Sequence, residues 1–233
     1  MGNTLISVIM SVHNEEANLK NCIESILSQS YKNLEFIITD DCSTDKTSEI
    51  IYKYSKLDKR IIPIKNNENI GLTKSLNNMV HISKGKYIAR QDGDDISISN
   101  RLEKQLNFIN KKNLKVCSAR ALSKQNNKKI HLVSTLFPMS IVMRFKNPYI
   151  HGTLFIEKDT LLNVKLYNES FYYAQDYDLM NRLMNKKIKI GYVRTPLYVL
   201  NTENNISSNS FSEQKYYSDC VKKNLEPENV AKK

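Results

Sequence analysis

The chain of 233 residues contains no tryptophan, only 6 glycines and 4 cysteines, and few acids for its size. These shortages exclude several function classes. No GxGxxG follows the first apolar run, and no GxxxxGK[ST] occurs anywhere. The GK dipeptide in "SKGKY" has neither the upstream glycine nor the hydroxyl of a phosphate loop. A nucleotide bound here would be held through basic side chains or a metal ion. Cys22, Cys42, Cys117 and Cys220 lie far apart without a CxxC pair, and the 4 histidines are scattered, so zinc spacing is absent. Reduced thiols in a cytosolic setting are the expectation, since the opening "MGNTLISVIMSVHNEE" has no basic start and its apolar run is only strand-length. No apolar run approaches the ~20 residues of a membrane-crossing helix. No internal repeat is visible.

Lys and Arg number 35 against 24 Asp and Glu, a net charge of +11, which implies acidic company: nucleic acid, an anionic membrane surface or a phosphorylated substrate. Against that background the stretch "ARQDGDDIS" (89–97) stands out, with Asp92, Asp94 and Asp95 packed around one glycine. Asp and Gly favour tight turns on their own account. An EF-hand starting at Asp92 fails, because Ile96 and Ser97 stand where an oxygen ligand and a glycine are needed.

The first 120 residues alternate between short β-branched runs and amphipathic stretches. Strands are predicted at 5–11, 34–40, 60–65, 86–92 and 114–119, and helices at 15–30, 45–57, 71–83 and 99–111. Pro63 places the third strand near an edge. This rhythm predicts an α/β fold with a mostly parallel central sheet flanked by helices. After residue 120 the rhythm breaks. "PMSIVMRFKN" reads as a helix, "HGTLFIEK" as a strand, "AQDYDLMNRLMNKK" as a helix, "KIGYV" and "PLYVL" as two short strands, and "SEQKYYSDCVKKNL" as a terminal amphipathic helix. A single domain over 1–233 is expected, with a nucleotide-type half (1–120) and an irregular second half (121–233).

Ligands of open parallel sheets bind outside the carboxyl ends of the strands. Here those ends read "SVHNEE", "TDDCSTD" and "RQDGDD", three polar, acidic segments on one rim. Converging carboxylates repel one another unless a cation or ligand donors intervene, and hard oxygens suit Mg2+ or Mn2+ with open positions for substrate phosphates.

These residues resemble the family 2 inverting glycosyltransferases of the GT-A (Rossmann-like) fold. The resemblance is carried by "ISVIMSVHNEEANLKNCIESILSQSYKNLEFIITDDCSTDKT", by "NIGLTKSLNNMVHISKGKYIARQDGDDIS" with its DxD motif, and by "AQDYDLMNRL", in order, over roughly residues 5–200. It implies a metal-dependent enzyme that moves a sugar from a nucleoside diphosphate donor, usually UDP-linked, to a hydroxyl of a glycan or lipid-linked acceptor in bacterial capsule, O-antigen or lipooligosaccharide synthesis. It implies that Asp94 binds Mn2+ or Mg2+ and that Asp92 contacts the ribose or the ion's surroundings. Asp41 would accept a hydrogen bond from the uracil. Ser11, His13 and Glu15 would wrap the nucleotide, with Gly71, Leu72 and Asn77 on the nucleotide-side loop and helix. Lys74 and Arg90 would reach phosphate or base, and each reads equally as a surface charge. Asp176 matches the catalytic base, and His151 would face the acceptor.

The chain departs from the family pattern at three places. His13 stands where tyrosine is frequent, Gln175 where glutamate often precedes the base, and Asn201 where a histidine often helps to hold the metal; Asn201 would then ligate through its amide oxygen. Two other readings compete. A nucleotidyltransferase would release pyrophosphate, and a basic nucleic-acid-binding module would follow the +11 charge, but the acidic rims would repel phosphates unless metal-bound. The expected location is cytoplasmic, with the basic surplus able to hold the protein against anionic lipid at the inner face of the membrane.

Overall fold

Period-two alternation in the first strand decides the layering. In β1 (Ile6–Val12), Ile6, Val8, Met10 and Val12 face one hydrophobic cluster and Ile9 faces another. β2 (Leu34–Asp40) repeats the division, with Phe36 and Ile38 on the first side and Ile37 on the second. A strand buried on both faces needs helices on both, and α1 (Leu19–Leu27), α2 (Thr47–Leu57) and α4 (Arg101–Lys112) cover the first side. The second side is covered by α3 (Leu72–Ile82), α6 (Lys158–Asn163), α7 (Gln175–Asn185) and α8 (Phe211–Lys223). The structure is a computed structural model and describes residues 4–130, 137–203 and 211–228.

The remaining strands are β3 (Ile61–Lys65), β4 (Tyr87–Arg90), β5 (Ile96–Ser97), β6 (Val116–Ser123), β7 (Phe155–Glu157) and β8 (Ile190–Leu200). They form an eight-stranded sheet in the order β3-β2-β1-β4-β7-β6-β8-β5. β3, β2, β1 and β4 run parallel, and β3 lies at the edge, as Pro63 implied. The order reverses between β1 and β4, so their carboxyl ends flank a topological switch point, the usual place for a ligand crevice in such sheets.

The parallel pattern stops there. β7 pairs antiparallel with both β4 and β6, so the sheet is mixed and β7 separates β6 from β4. The two short strands expected at 188–200 are one strand, β8. It runs beside β6 with register shifts around Arg120, which let Pro196 lie in the ladder. The helix expected in "PMSIVMRFKN" is the single turn α5 (Met139–Val142), and His151 lies on a 3-10 turn (His151–Thr153) ahead of β7 rather than on the strand. The first helix begins at Leu19, where its apolar stripe begins, not at 15 as predicted. The backbone N–H groups of Glu15 and Glu16 bond to Thr47 and Asp45, which ties the first loop to the second instead of extending α1.

Gly85 is required by close approach. The Ser7 hydroxyl donates to the Glu35 carboxylate at 2.6 Å and accepts from the Gly85 N–H at 2.8 Å. A Cβ at position 85 would lie 2.5 Å from the Ser7 backbone nitrogen and 2.9 Å from the Ile6 carbonyl carbon, where backbone cannot yield. Gly85→Ala is expected to destabilise the fold by about 1–3 kcal/mol through overpacking, read as a lower denaturant midpoint at unchanged slope.

Candidate active site

A cavity of about 1160 Å³ opens over the switch point, and almost every residue singled out in the sequence lines it: Ser11, His13, Glu15, Asp41, Gly71, Leu72, Lys74, Arg90, Asp92, Asp94, His151, Gln175, Asp176 and Asn201. Asn77 does not. Its side chain is buried behind α3, where it donates to the Tyr167 carbonyl and the Glu169 carboxylate and accepts from the Tyr167 N–H, so it braces the 167–169 segment instead of meeting a ligand.

The second acidic loop is built around Asp41, which is 3% exposed. Its carboxylate accepts from Asn66 at 2.7 Å, from the Ile70 N–H at 3.0 Å and from the Gly71 N–H at 2.8 Å. Those three bonds fix the loop that enters α3, and Gly71 makes the entry with φ of 86°. Most of the accepting capacity of Asp41 is therefore used by the protein itself. His13 is oriented by Asp41 as well: Nδ1 donates to the Asp41 carbonyl at 2.9 Å and Nε2 accepts from Asn14, leaving an exposed ring at the cavity wall.

The third acidic segment rests on two buried guanidinium groups. Arg90 is 1% exposed, so it is not the surface charge that was one reading of it. Its Nη2 pairs with Asp92 Oδ1 at 2.5 Å, while Nε and Nη1 have no hydrogen-bond partner among the described residues. Arg101 reaches beneath the turn and donates from Nη1 to the carbonyls of Arg90 and Gly152. Gln91 closes the turn, donating to the carbonyls of Asp92 and Asp95 and accepting from the Ser97 hydroxyl. The Asp92 N–H donates to the Tyr198 hydroxyl.

Sharing one rim has an electrostatic cost. Burial and then the charge of Asp94 push Glu15 up to about 7. Burial and then Asp92 raise Asp94, and burial, Asp92 and Asp94 raise Asp95 well above the carboxylate range. Asp95 is 1% exposed and accepts the Asn201 N–H at 2.7 Å, so the third acid of the motif anchors β8 to the turn. The Asn201 side chain bonds to Asp94, and its amide oxygen accepts from Gln125 at 2.7 Å. The amide is thereby held between the acidic rim and Gln125.

Among the described residues, no three His, Cys, Asp or Glu side chains converge as a complete metal cage. The donor set that is present, Asp94 and Asp92 with excess negative charge around them, fits a hard divalent ion whose other positions are filled by phosphate oxygens and water.

Asp176 lines the same cavity, in the first turn of α7. Ala174 enters that helix in a left-handed conformation at φ of 54° and turns Gln175 and Asp176 inward. Asn147 donates to Asp176 Oδ2 at 2.7 Å. Burial raises the pKa of Asp176 while the Tyr177 backbone and Asn147 oppose the rise. His151 is a half-buried wall group of the cavity: its Nε2 meets the Tyr167 hydroxyl at 2.9 Å, and desolvation followed by Arg90 pushes its pKa down to about 3. Asn147, Gln91, Arg101 and Tyr198 were not singled out from the sequence. No spacing marks them, because each acts through contacts between distant segments.

The Glycosyl transferase family 2 model matches residues 7–188. The uncharacterized glycosyltransferase MJ1057 of Methanocaldococcus jannaschii is 33% identical over 231 residues, covering 94% of this chain and 78% of its own. Escherichia coli WfaP, named UDP-Glc:alpha-D-GlcNAc-diphosphoundecaprenol beta-1,3-glucosyltransferase, is 43% identical over 105 residues, 45% of this chain and 41% of its own. The chain spans only 38% of Bacillus subtilis EpsE, to which it is 51% identical over 107 residues. Among solved structures, S. aureus TarS 1-349 in complex with UDP-GlcNAc superposes with a TM-score of 0.73 at 18% identity, over 97% of this chain and 68% of that one. The Pyrobaculum calidifontis mannosyltransferase PcManGT, in complex with GDP-Man and Mn2+, gives a TM-score of 0.72 at 15% identity, over 91% and 61%. At such identities these two share the fold. The family match spans most of the chain and contains the three acidic rims and Asp176, and the chain belongs to glycosyl transferase family 2.

Proposed function

We propose that this protein transfers a sugar from a nucleoside diphosphate donor, UDP-linked, to a hydroxyl of a glycan or lipid-linked acceptor in the synthesis of a bacterial cell-surface polysaccharide, with inversion at the anomeric carbon. One observation carries the reading: Asp176 lines the same cavity as Asp92 and Asp94, and the charge of Asp92 acts on both of the other carboxylates. The UDP-Glc and diphosphoundecaprenol in the name of WfaP, and the UDP-GlcNAc bound to TarS, support the donor and acceptor classes.

The His13 ring and the loop pinned by Asp41 hold the nucleoside end. Arg90, with two unpartnered nitrogens, and Lys74 meet the diphosphate. A Mg2+ or Mn2+ ion held by Asp94 and Asp92 would supply Lewis-acid stabilisation of the leaving diphosphate. The Asp176 carboxylate, oriented by Asn147, takes the proton of the acceptor hydroxyl as that oxygen bonds to the anomeric carbon from the face opposite the diphosphate. The bond from the anomeric carbon to the diphosphate oxygen breaks, and its electron pair leaves with the nucleotide. No helix among the described residues is long and apolar enough to cross a membrane. The protein acts from the cytoplasmic face as a peripheral enzyme.

Thermal unfolding with Mn2+ and a panel of nucleoside diphosphates is expected to show a metal-dependent rise with UDP. Asp94→Ala removes that rise and abolishes transfer, whereas near-normal turnover in Asp94→Ala defeats the metal role. Asp176→Asn is expected to lower kcat by ~10²–10⁴-fold with the UDP-induced rise intact. Because burial raises its pKa, the acid limb of the pH–kcat profile lies above the ordinary value of 3.8, with activity lost as pH falls through it; a limb at the ordinary value removes Asp176 as the base.

A further inference from the structure

Phe137, Ile141 and Phe145 are 58%, 50% and 71% exposed, and they follow one another at intervals of four residues. Met139–Val142 form one helical turn, continued as turns by the bonds Arg144 N–H to Ile141 and Phe145 N–H to Val142, while Phe137 precedes it across Pro138, whose ψ of 124° is extended; the three exposed apolar side chains thus cluster around this one turn. The opposite face is anchored. Val142 and Met143 are buried, and the Tyr177 hydroxyl donates to the Met143 carbonyl at 2.5 Å. The apolar face is therefore a firmly based ridge, not a loose loop.

We propose that this ridge seats the protein on an anionic lipid bilayer. Three large apolar side chains held together in water mark an interaction surface rather than ordinary surface scatter. Charge selects the occupant. Arg144 and Lys146 flank the ridge, both exposed, and neither makes an ion pair among the described residues. The whole chain carries +11. An apolar face bordered by cations matches the boundary between acyl chains and anionic headgroups. A second copy docked ridge to ridge would instead oppose these cations to their own counterparts.

The ridge also continues into the site. Phe145 and Lys146 line the cavity, and the next residue, Asn147, orients Asp176. A bilayer held there would present a lipid-linked hydroxyl on the side of the base. That placement rests on the proposed transfer reaction, but lipid binding itself does not.

The test is co-sedimentation of the full chain, without nucleotide, with phosphatidylcholine vesicles with and without phosphatidylglycerol, at low and high salt. Wild type is expected to bind the phosphatidylglycerol vesicles with weakening at high salt. Phe137→Ser/Ile141→Ser/Phe145→Ser is expected to lose roughly tenfold or more of that binding. Arg144→Glu/Lys146→Glu, which changes only exposed charges, abolishes the preference for anionic vesicles and serves where the triple variant fails to fold. Leu57→Ser/Ile82→Ser removes equally exposed apolar groups at the ends of α2 and α3 and binds as wild type. Wild type that stays in the supernatant, variants that bind unchanged, or a wild-type dimer that the triple variant turns into monomer would each overturn the proposal. UDP binding on the same preparations separates failure of the ridge from failure of the transfer reading.

Discussion

Burial of Arg90 and Arg101 beneath the acidic turn is the arrangement on which the rest of the site depends. An unpaired buried guanidinium costs several kcal/mol, and so does a cluster of desolvated carboxylates. Each is tolerable here because of the other. Arg90 pairs with Asp92, while Arg101, pushed down to about 10 by burial, donates from Nη1 to the carbonyls of Arg90 and Gly152 and lies over the Tyr198 ring. The two cations do not cancel the field of Glu15, Asp92, Asp94 and Asp95, since three of these acids remain raised. The residual negative charge gives the rim its appetite for a cation.

The same two arginines join the two halves of the chain. Arg101 lies at the start of α4, yet its partners are Arg90 at the end of β4 and Gly152 in the irregular second half. Asp95 and Asn201 make a second tie between the turn and β8. The acidic turn is thereby tied to the 151–153 segment and to the end of β8 by polar contacts.

The parallel half of the fold was legible because β1 to β4 and the helices between them each satisfy a local period, and because Pro63 marks an edge. The acidic rims were legible for a related reason: a strand's carboxyl end is known once the strand is known. The insertion of β7 between β4 and β6 was not, since antiparallel pairing at Ala89–Phe155 and Cys117–Phe155 joins segments far apart in sequence. β8 was split in two because Arg194, Thr195 and Pro196 resemble a turn, and only the shifted register opposite Arg120 shows how the strand absorbs them. Among site residues, those whose side chains end in the cavity were found. Asn77 was misplaced because its amide bonds to the 167–169 segment instead of entering the cavity, and Asn147, which bonds to Asp176, was missed because the Asn-Pro pair signals only a turn.

The segment from Phe137 to Thr153 explains why that half has so little regular structure. Within it, Met143 must accept from Tyr177, Asn147 must reach Asp176, His151 must meet Tyr167, and Gly152 must pass close under Asp92 and Tyr198. A continuous helix would carry these groups around its axis at 100° per residue, and a strand would alternate them between faces, so neither presents all of them to their partners. The backbone is instead satisfied piecemeal. Thr153 alone bonds the Ser118 hydroxyl, the Ala119 N–H and the Ile150 carbonyl. Buried irregular chain is costly unless every polar group finds a partner, and a single fully buried threonine supplies several of them. The irregularity is thus what lets one short stretch of chain supply the partner of Asp176, the His151 wall of the cavity and the exposed apolar side chains.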